Sequence, residues 1–288
     1  MRCLSGAVVF LALAVRWVAG LDIAVSGTQD GVPLPAEELT FSEFEDGVIG
    51  LLDFRPSGTV GGEGGNRVAA AVAANPTAAS NNWCGSINKT PATNRIKSIT
   101  ATWQHPNCRV QTDKELRQAI SPWVGMTNGT APIQAGSYCQ VKNWAGKVDH
   151  FVWWQWFGHG TQIMNDFPVD PGDQMQATIT MPTPTSAVIY LANFSKGRSL
   201  TFDLKNGNEI IGTEAVWVAE APILNGFQAI YPRYDSIWFQ RASATREDGS
   251  NLGIIGATQW QVRNQCRSWE YDDETLELIQ IWENASRR

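Results

Sequence analysis

Phe151-Val152-Trp153-Trp154-Gln155-Trp156-Phe157 places three tryptophans within four residues. Successive side chains of a strand point to opposite faces, so Trp153 on one side and Trp154 and Trp156 on the other leave neither face for water. A strand apolar on both sides belongs where both faces are covered. The same texture continues outward. From about Asn81 the chain runs in short stretches rich in Val, Ile, Thr, Phe and Trp, parted by Gly, Asn, Asp and Pro, the signature of many strands joined by hairpins. Strands are expected at Ile96–Trp103, Phe151–Phe157, Gln176–Thr180, Ala187–Asn193, Ser199–Asp203, Ala215–Glu220, Ser236–Ala242, Ala257–Val262 and Leu276–Trp282. Pro171-Gly172-Asp173 and Asn206-Gly207-Asn208 mark turns by backbone preference. Only Thr112–Ile120 reads as helix, and no internal repeat is present. The 13 tryptophans outnumber the 11 phenylalanines and 5 tyrosines. Such rings either fill the space between sheets or wall a ligand cleft.

At about 150 residues per domain, 288 residues make one large domain or two small ones. Hydrophobic residues are 43% and charged residues 17%, which excludes a wholly disordered chain and a coiled coil. Residues 21–65 hold nine acids and one base, whereas residues 66–288 hold nineteen of each. The main body has no basic surplus, so nucleic acid is not an expected partner. Arg2, the apolar run Ala7–Val15 and the small residues Val18-Ala19-Gly20 read as an export signal over residues 1–20. The run is too short to span a bilayer, so the expectation is a secreted, extracellular protein with no membrane association after signal removal. Cys3 leaves with the signal. Cys84, Cys108, Cys139 and Cys266 can form two disulfides in any of three pairings. Sequons begin at Asn88, Asn128, Asn193 and Asn284, each a glycosylation candidate.

Residues 21–76 form an acidic segment ending in the glycine-rich Ser57–Gly65 and an alanine-rich run, Arg67–Ala79, that could be a short helix. The segment reads either as a disordered tail and linker or as a propeptide. The main domain is then 77–288.

Familiar hydrolytic motifs are missing: no Gly-x-Ser-x-Gly, no His-Glu-x-x-His and no phosphate-binding glycine loop occur. The three histidines, His105, His150 and His159, are not spaced as helical metal ligands, so neither a metal nor a cofactor is expected. What remains is carboxylate and amide chemistry. In Glu214-Ala215-Val216-Trp217-Val218-Ala219-Glu220 the period of two puts Glu214, Val216, Val218 and Glu220 on one face. The two carboxylates are about 20 Å apart along a strand, too far for the paired-carboxylate chemistry of a glycosidase.

Asn82-Trp83-Cys84-Gly85, Trp123-Val124-Gly125, Ile133-Gln134-Ala135-Gly136, Val152–Trp156 and Ala215–Pro222, in this order, resemble the glutamic endopeptidases called eqolisins. The likeness runs from about Asn81 to at least Ala244. It implies an all-β, antiparallel two-sheet β-sandwich like that of concanavalin A-like lectins and glucanases, with a protein- or peptide-binding cleft on a concave face. It also implies secretion with a propeptide and cleavage of proteins at acid pH. In the family a glutamate activates water as general base, while a glutamine positions it and stabilises the oxyanion. Gln134 matches that glutamine, but the glutamate position is Val216. Thr127 and Gln155 stand where the family pattern has an aspartate and a glutamate. Trp123 and Glu220 match cleft positions.

Valine can neither take nor give a proton, and general-base catalysis is worth about 10²- to 10⁴-fold. Glu214, on the same face, lies two residues or about 6.6 Å away and could substitute only through a register shift or bulge. Three readings follow: a catalytically impaired, monomeric peptide binder; an acid endopeptidase using Gln134 with Glu214; and a carbohydrate-binding sandwich.

Overall fold

The computed structural model describes residues 14–18, 20–45, 47–48, 75–112 and 117–281. Most of the expected signal, the glycine-rich stretch and the Asn284 sequon lie outside these residues. Among the described residues the chain is nearly all strand. The N-terminal part forms β1 (Ala14–Val18), β2 (Leu21–Gln29), β3 (Val32–Pro33), β4 (Phe41–Glu43) and β5 (Gly47–Val48). Next come β6 (Thr77–Ser80), β7 (Trp83–Lys89), β8 (Ile96–Gln104), β9 (Gln118–Thr127), β10 (Ile133–Val141) and β11 (Val148–Trp156). They are followed by β12 (Gln162–Met164), β13 (Gln174–Thr183), β14 (Ser186–Asn193), β15 (Arg198–Lys205), β16 (Glu214–Glu220), β17 (Ile223–Leu224) and β18 (Phe227–Gln228). The chain ends with β19 (Ile237–Arg246), β20 (Asn251–Leu252), β21 (Thr258–Val262), β22 (Cys266–Glu270) and β23 (Leu276–Gln280).

Two antiparallel layers result. One runs β12-β11-β10-β9-β16-β7-β21, the other β2-β15-β14-β13-β8-β19-β23, and β22 joins them at one side. Trp103 of β8 donates its indole N–H to Ser137 Oγ of β10 at 2.9 Å, and Trp217 of β16 donates to the Thr100 carbonyl of β8 at 3.0 Å. These two bonds tie the layers together while letting buried indoles keep a partner. Trp153, Trp154 and Trp156 are all fully buried, as the doubled tryptophan pattern requires. Cys84–Cys266 and Cys108–Cys139 are the disulfides.

All nine expected strands are present. The expected helix at Thr112–Ile120 does not extend to its end: Gln118, Ala119 and Ile120 open β9, each buried and paired with β10, while residues 113–116 lie outside the described residues. The alanine-rich run likewise ends as strand, Thr77–Ser80 pairing in parallel with β21. Inter-strand pairing and burial outweigh weak helical propensity there. The acidic N-terminal segment is also built into the sheet. β2 pairs with β15 through eight residues, and Leu21, Ile23 and Val25 alternate into the core. Leu34, Leu39 and Phe41 are buried beside them. Burying each such side chain contributes about 1.5–3 kcal/mol, more than enough to hold an acidic strand in place.

One polar group sits deep in this core. His105 is 1% exposed; its Nε2 faces His150 Nδ1 at 2.8 Å, and its Nδ1 faces Ser137 Oγ at 2.9 Å. Burial holds His105 well below the usual imidazole range, and the facing His150 adds to the effect. Burial also lowers His150, against the pull of Asp170 and Asp149. The folded protein therefore keeps the pair neutral under conditions in which the unfolded chain takes up protons. Its contribution is complete above about pH 6.5 and is lost as pH falls below that value. The melting temperature should fall between pH 7 and pH 5, the direction the lowered histidines set. Calorimetry on the wild type and His150→Gln tests this: the variant should show the flatter slope, and a wild-type profile already flat would refute it.

Candidate functional site

The side of the first layer away from the core collects the expected site residues in rows. Val216 on β16 pairs with Gly125 on β9, Gly125 pairs with Gln134 on β10, and Gln134 pairs with Gln155 on β11. Four adjacent strands thus contribute one straight row. Two strand spacings of about 4.8 Å separate the backbones of Val216 and Gln134 by roughly 10 Å, with only a glycine between them. An added Cβ at Gly125 would lie 2.8 Å from the Ile133 carbonyl and 3.0 Å from Gln134 Cβ. Glycine therefore keeps the gap open.

Gln134 is fully buried. Its Nε2 donates to Gln155 Oε1 at 2.6 Å, whereas its own Oε1 has no partner. Gln155 Nε2 reaches back to the His159 carbonyl at 3.5 Å. A carboxamide neither takes up nor gives up a net proton near neutral pH, and Val216 is fully buried and apolar. The row can accept and donate hydrogen bonds but holds no general base.

The remaining carboxylates are engaged elsewhere. Glu214 pairs with Thr127, one row away, and its Oε1 lies 2.8 Å from Lys89 Nζ. Thr127 uses its hydroxyl to accept from Gly129 N–H at 3.0 Å, shaping the turn rather than entering the row. Glu220, two rows to the other side, is fully buried; Trp123 donates its indole N–H to it at 3.0 Å, and Asn82 Nδ2 lies at 3.5 Å. Trp123 also packs edge-on against Trp83, the ring centroids 5.1 Å apart. The structure therefore joins Val216, Gln134 and Gln155, and sets Glu214, Thr127, Trp123 and Glu220 around them.

Sequence reasoning missed Gly125 as the spacer, although the adjacent glycine of Trp123-Val124-Gly125 was the available signal. It also missed Ser121, which accepts the Trp153 indole N–H at 2.9 Å and fixes that ring under the row. Phe44 was missed as well. It stands on this face against Tyr138 and Phe151, with centroids 5.6 and 5.4 Å away.

His105, Cys139 and His150 bring three ligand atoms within 4.8 Å of one another. The Cys139 sulfur, however, is bonded to Cys108 and cannot serve as a thiolate ligand. The histidine nitrogens face each other in a hydrogen bond.

Of the sequon asparagines, Asn88 is buried, its Nδ2 donating to the Gly253 and Ile255 carbonyls at 2.8 and 3.2 Å. Asn193 is fully enclosed, donating to the Pro168 carbonyl and Asp173 Oδ2. A glycan on either nitrogen would take one of its two N–H donors and has no room in the fold. Asn128 is exposed and uses only its Oδ1, toward Thr130 and Ala131. Folded protein from a glycosylating host should carry glycan at Asn128 and at neither Asn88 nor Asn193. Glycopeptide mapping checks this, and an occupied Asn193 in folded material would contradict it.

A profile described as the Peptidase A4 family matches residues 81–275. Among solved structures, scytalido-glutamic peptidase with a peptide-based transition state analogue aligns with a TM-score of 0.60 at 19% identity, over 70% of this chain and 98% of the other. SCP-B, described as a member of the eqolisin family in complex with the tripeptide Ala-Ile-His, gives 0.57 at 19% identity over the same shares. Aspergilloglutamic peptidase from Aspergillus niger gives 0.52 at 20% identity, over 57% of this chain and 99% of the other. A search of curated proteins found no match. At these identities the structural likeness shows a shared fold, an antiparallel β-sandwich, and the profile covers most of the chain. The protein belongs to the Peptidase A4 family, the eqolisins or glutamic peptidases.

Proposed function

We propose that this protein is a secreted, non-catalytic member of its family that binds peptide on the Gln134 face as a monomer. The observation that carries the reading is the row Val216-Gly125-Gln134-Gln155: an unbroken register runs from Gln134 to the apolar Val216, which the resemblance matches to the base. No carboxylate stands in that row. Glu214 is a row away and ion-paired with Lys89. Glu220 is farther still and holds Trp123.

Peptide is the favoured ligand because the row offers amide chemistry. The Oε1 of the buried Gln134 has no partner, and a peptide N–H donated to it would relieve the cost of a buried, unsatisfied carbonyl. The tripeptide and transition-state-analogue complexes of the structural relatives agree with such a ligand. Two disulfides and the apolar N-terminal run suit an oxidising, extracellular setting.

The test is degradation of a denatured protein from pH 2 to 7 by the wild type, Val216→Glu and Gln134→Ala. The wild type should be inert, Val216→Glu should gain cleavage at the acid end, and Gln134→Ala should weaken capture of immobilised unfolded peptide by about tenfold, the worth of one buried hydrogen bond. Wild-type cleavage that disappears in Gln134→Ala would sink the reading and make Glu214 the base to examine.

A further inference from the structure

The N-terminal segment lies outside the residues matched by the family profile, 81–275, yet its strands β2, β4 and β5 each pair with a strand of that body. Arg198–Lys205 of β15 pairs with Asp22–Gln29 of β2. Side chains reinforce the ladder: Thr28 Oγ1 meets Ser199 Oγ at 2.9 Å, and Gln29 Nε2 donates to the Lys196 carbonyl at 2.6 Å. Arg198 is 5% exposed, and its Nη1 donates to Glu38 Oε2 at 3.0 Å. Without Glu38, that buried cation would keep only the Asp166 carbonyl among its hydrogen-bond partners here, at 3.2 Å. Phe41 packs edge-on against both Trp154 and Phe202, with ring centroids 6.2 and 6.4 Å away, while those two rings touch each other at 5.5 Å. Removing it would leave a hole beside two core aromatics.

From there the chain turns onto the functional face. β4 pairs with β12, Phe44 N–H donates to the Thr161 carbonyl at 2.8 Å, and the Phe44 ring covers Tyr138 and Phe151. Tyr138 lies on the Gln134 side of β10, four residues along the strand. β5 then pairs with β17, just beyond Glu220. The segment is therefore anchored by strand pairing on both sides of the Gln134 face, with Phe44 in between.

We infer that residues 21–45 are a retained part of the working protein and not a removable pro-segment: they remain in the sheet even when the chain is cut between residues 49 and 74, and their Phe44 strap walls one side of the Gln134 face. The interaction surface is the edge of β15 with β12, and its partner is this chain's own N-terminal segment. β1 pairs only with the other edge of β2, so loss of residues 1–20 with an export signal leaves the β2–β15 ladder complete. The inference is independent of whether the row is catalytic.

To test it, Ser57–Gly65 is replaced in the full chain by the recognition sequence of a site-specific protease, and the purified protein is cut. The two pieces should co-elute on gel filtration, keep the melting temperature of the uncut chain, and part only in denaturant. A small fragment eluting by itself from a body that still melts at the original temperature would overturn the inference. Val25→Asp in the same cleavable chain sets a charge in the β2 core face; cutting should then release the fragment. If that variant holds its fragment as firmly as the unaltered protein, the β2 ladder is not what retains it and the inference fails.

Discussion

The hydrogen bond from the Trp217 indole to the Thr100 carbonyl decides what the functional face can be. It holds Trp217 in the core between the layers, and because strand side chains alternate, Glu214, Val216, Val218 and Glu220 must then face away from it. Neighbouring strands are fixed by the same means, Trp103 on Ser137 and Trp153 on Ser121. A one-residue slip of β16 would turn Trp217 out and flip every side chain of the strand. A two-residue slip, which would carry Glu214 into the Val216 row, keeps the alternation but moves Trp217 off its carbonyl and puts alanine or nothing in its place. The register that rescues a base therefore costs the bond that closes the sandwich.

The carboxylates that survive on this face have tasks that tie them down. Glu220 is buried and gathers the Trp123 indole and the Asn82 amide, so it fixes the aromatic floor beside the row. Glu214 compensates Lys89 at the rim. The row itself carries valine, glycine and two glutamines, none of which titrates. In the core, His105 and His150 share a hydrogen bond, and burial lowers both even though Asp170 and Asp149 pull His150 the other way.

How much of this was legible depended on which signal each element carried. Runs dominated by β-branched and aromatic residues, such as Ile96–Trp103 and Ala187–Asn193, declared themselves as strands. β7, β9 and β10 did not, because Gly85, Asn88, Pro122, Gly125, Gly136 and Gln134 interrupt the apolar pattern at positions set by close strand packing and by the site itself. Thr112–Ile120 looked helical because Lys114, Glu115, Leu116 and Arg117 favour helix locally, whereas pairing with β10 decides the conformation from Gln118 onward. Gln134 and Val216 were identified by family resemblance, since their alignment across Gly125 is a property of register that no local pattern encodes. The His105–His150 contact joins residues 45 positions apart and left no trace in spacing.

The N-terminal segment shows how composition can mislead where periodicity does not. Its excess of acids suggested a tail, yet Leu21, Ile23 and Val25 alternate with Asp22, Ala24 and Ser26 as an edge strand requires. Across the ladder Ile23 sits opposite Leu204 and Val25 opposite Phe202, so apolar side chains meet apolar side chains on the core face. The acids fall on the other side or find specific partners, Asp22 accepting from Asn206 and Glu38 from Arg198. Because Phe41 packs edge-on against the contacting Trp154 and Phe202 rings, the packing that supports β11, and through it Gln155 and Gln134, extends into residues that the family profile does not cover.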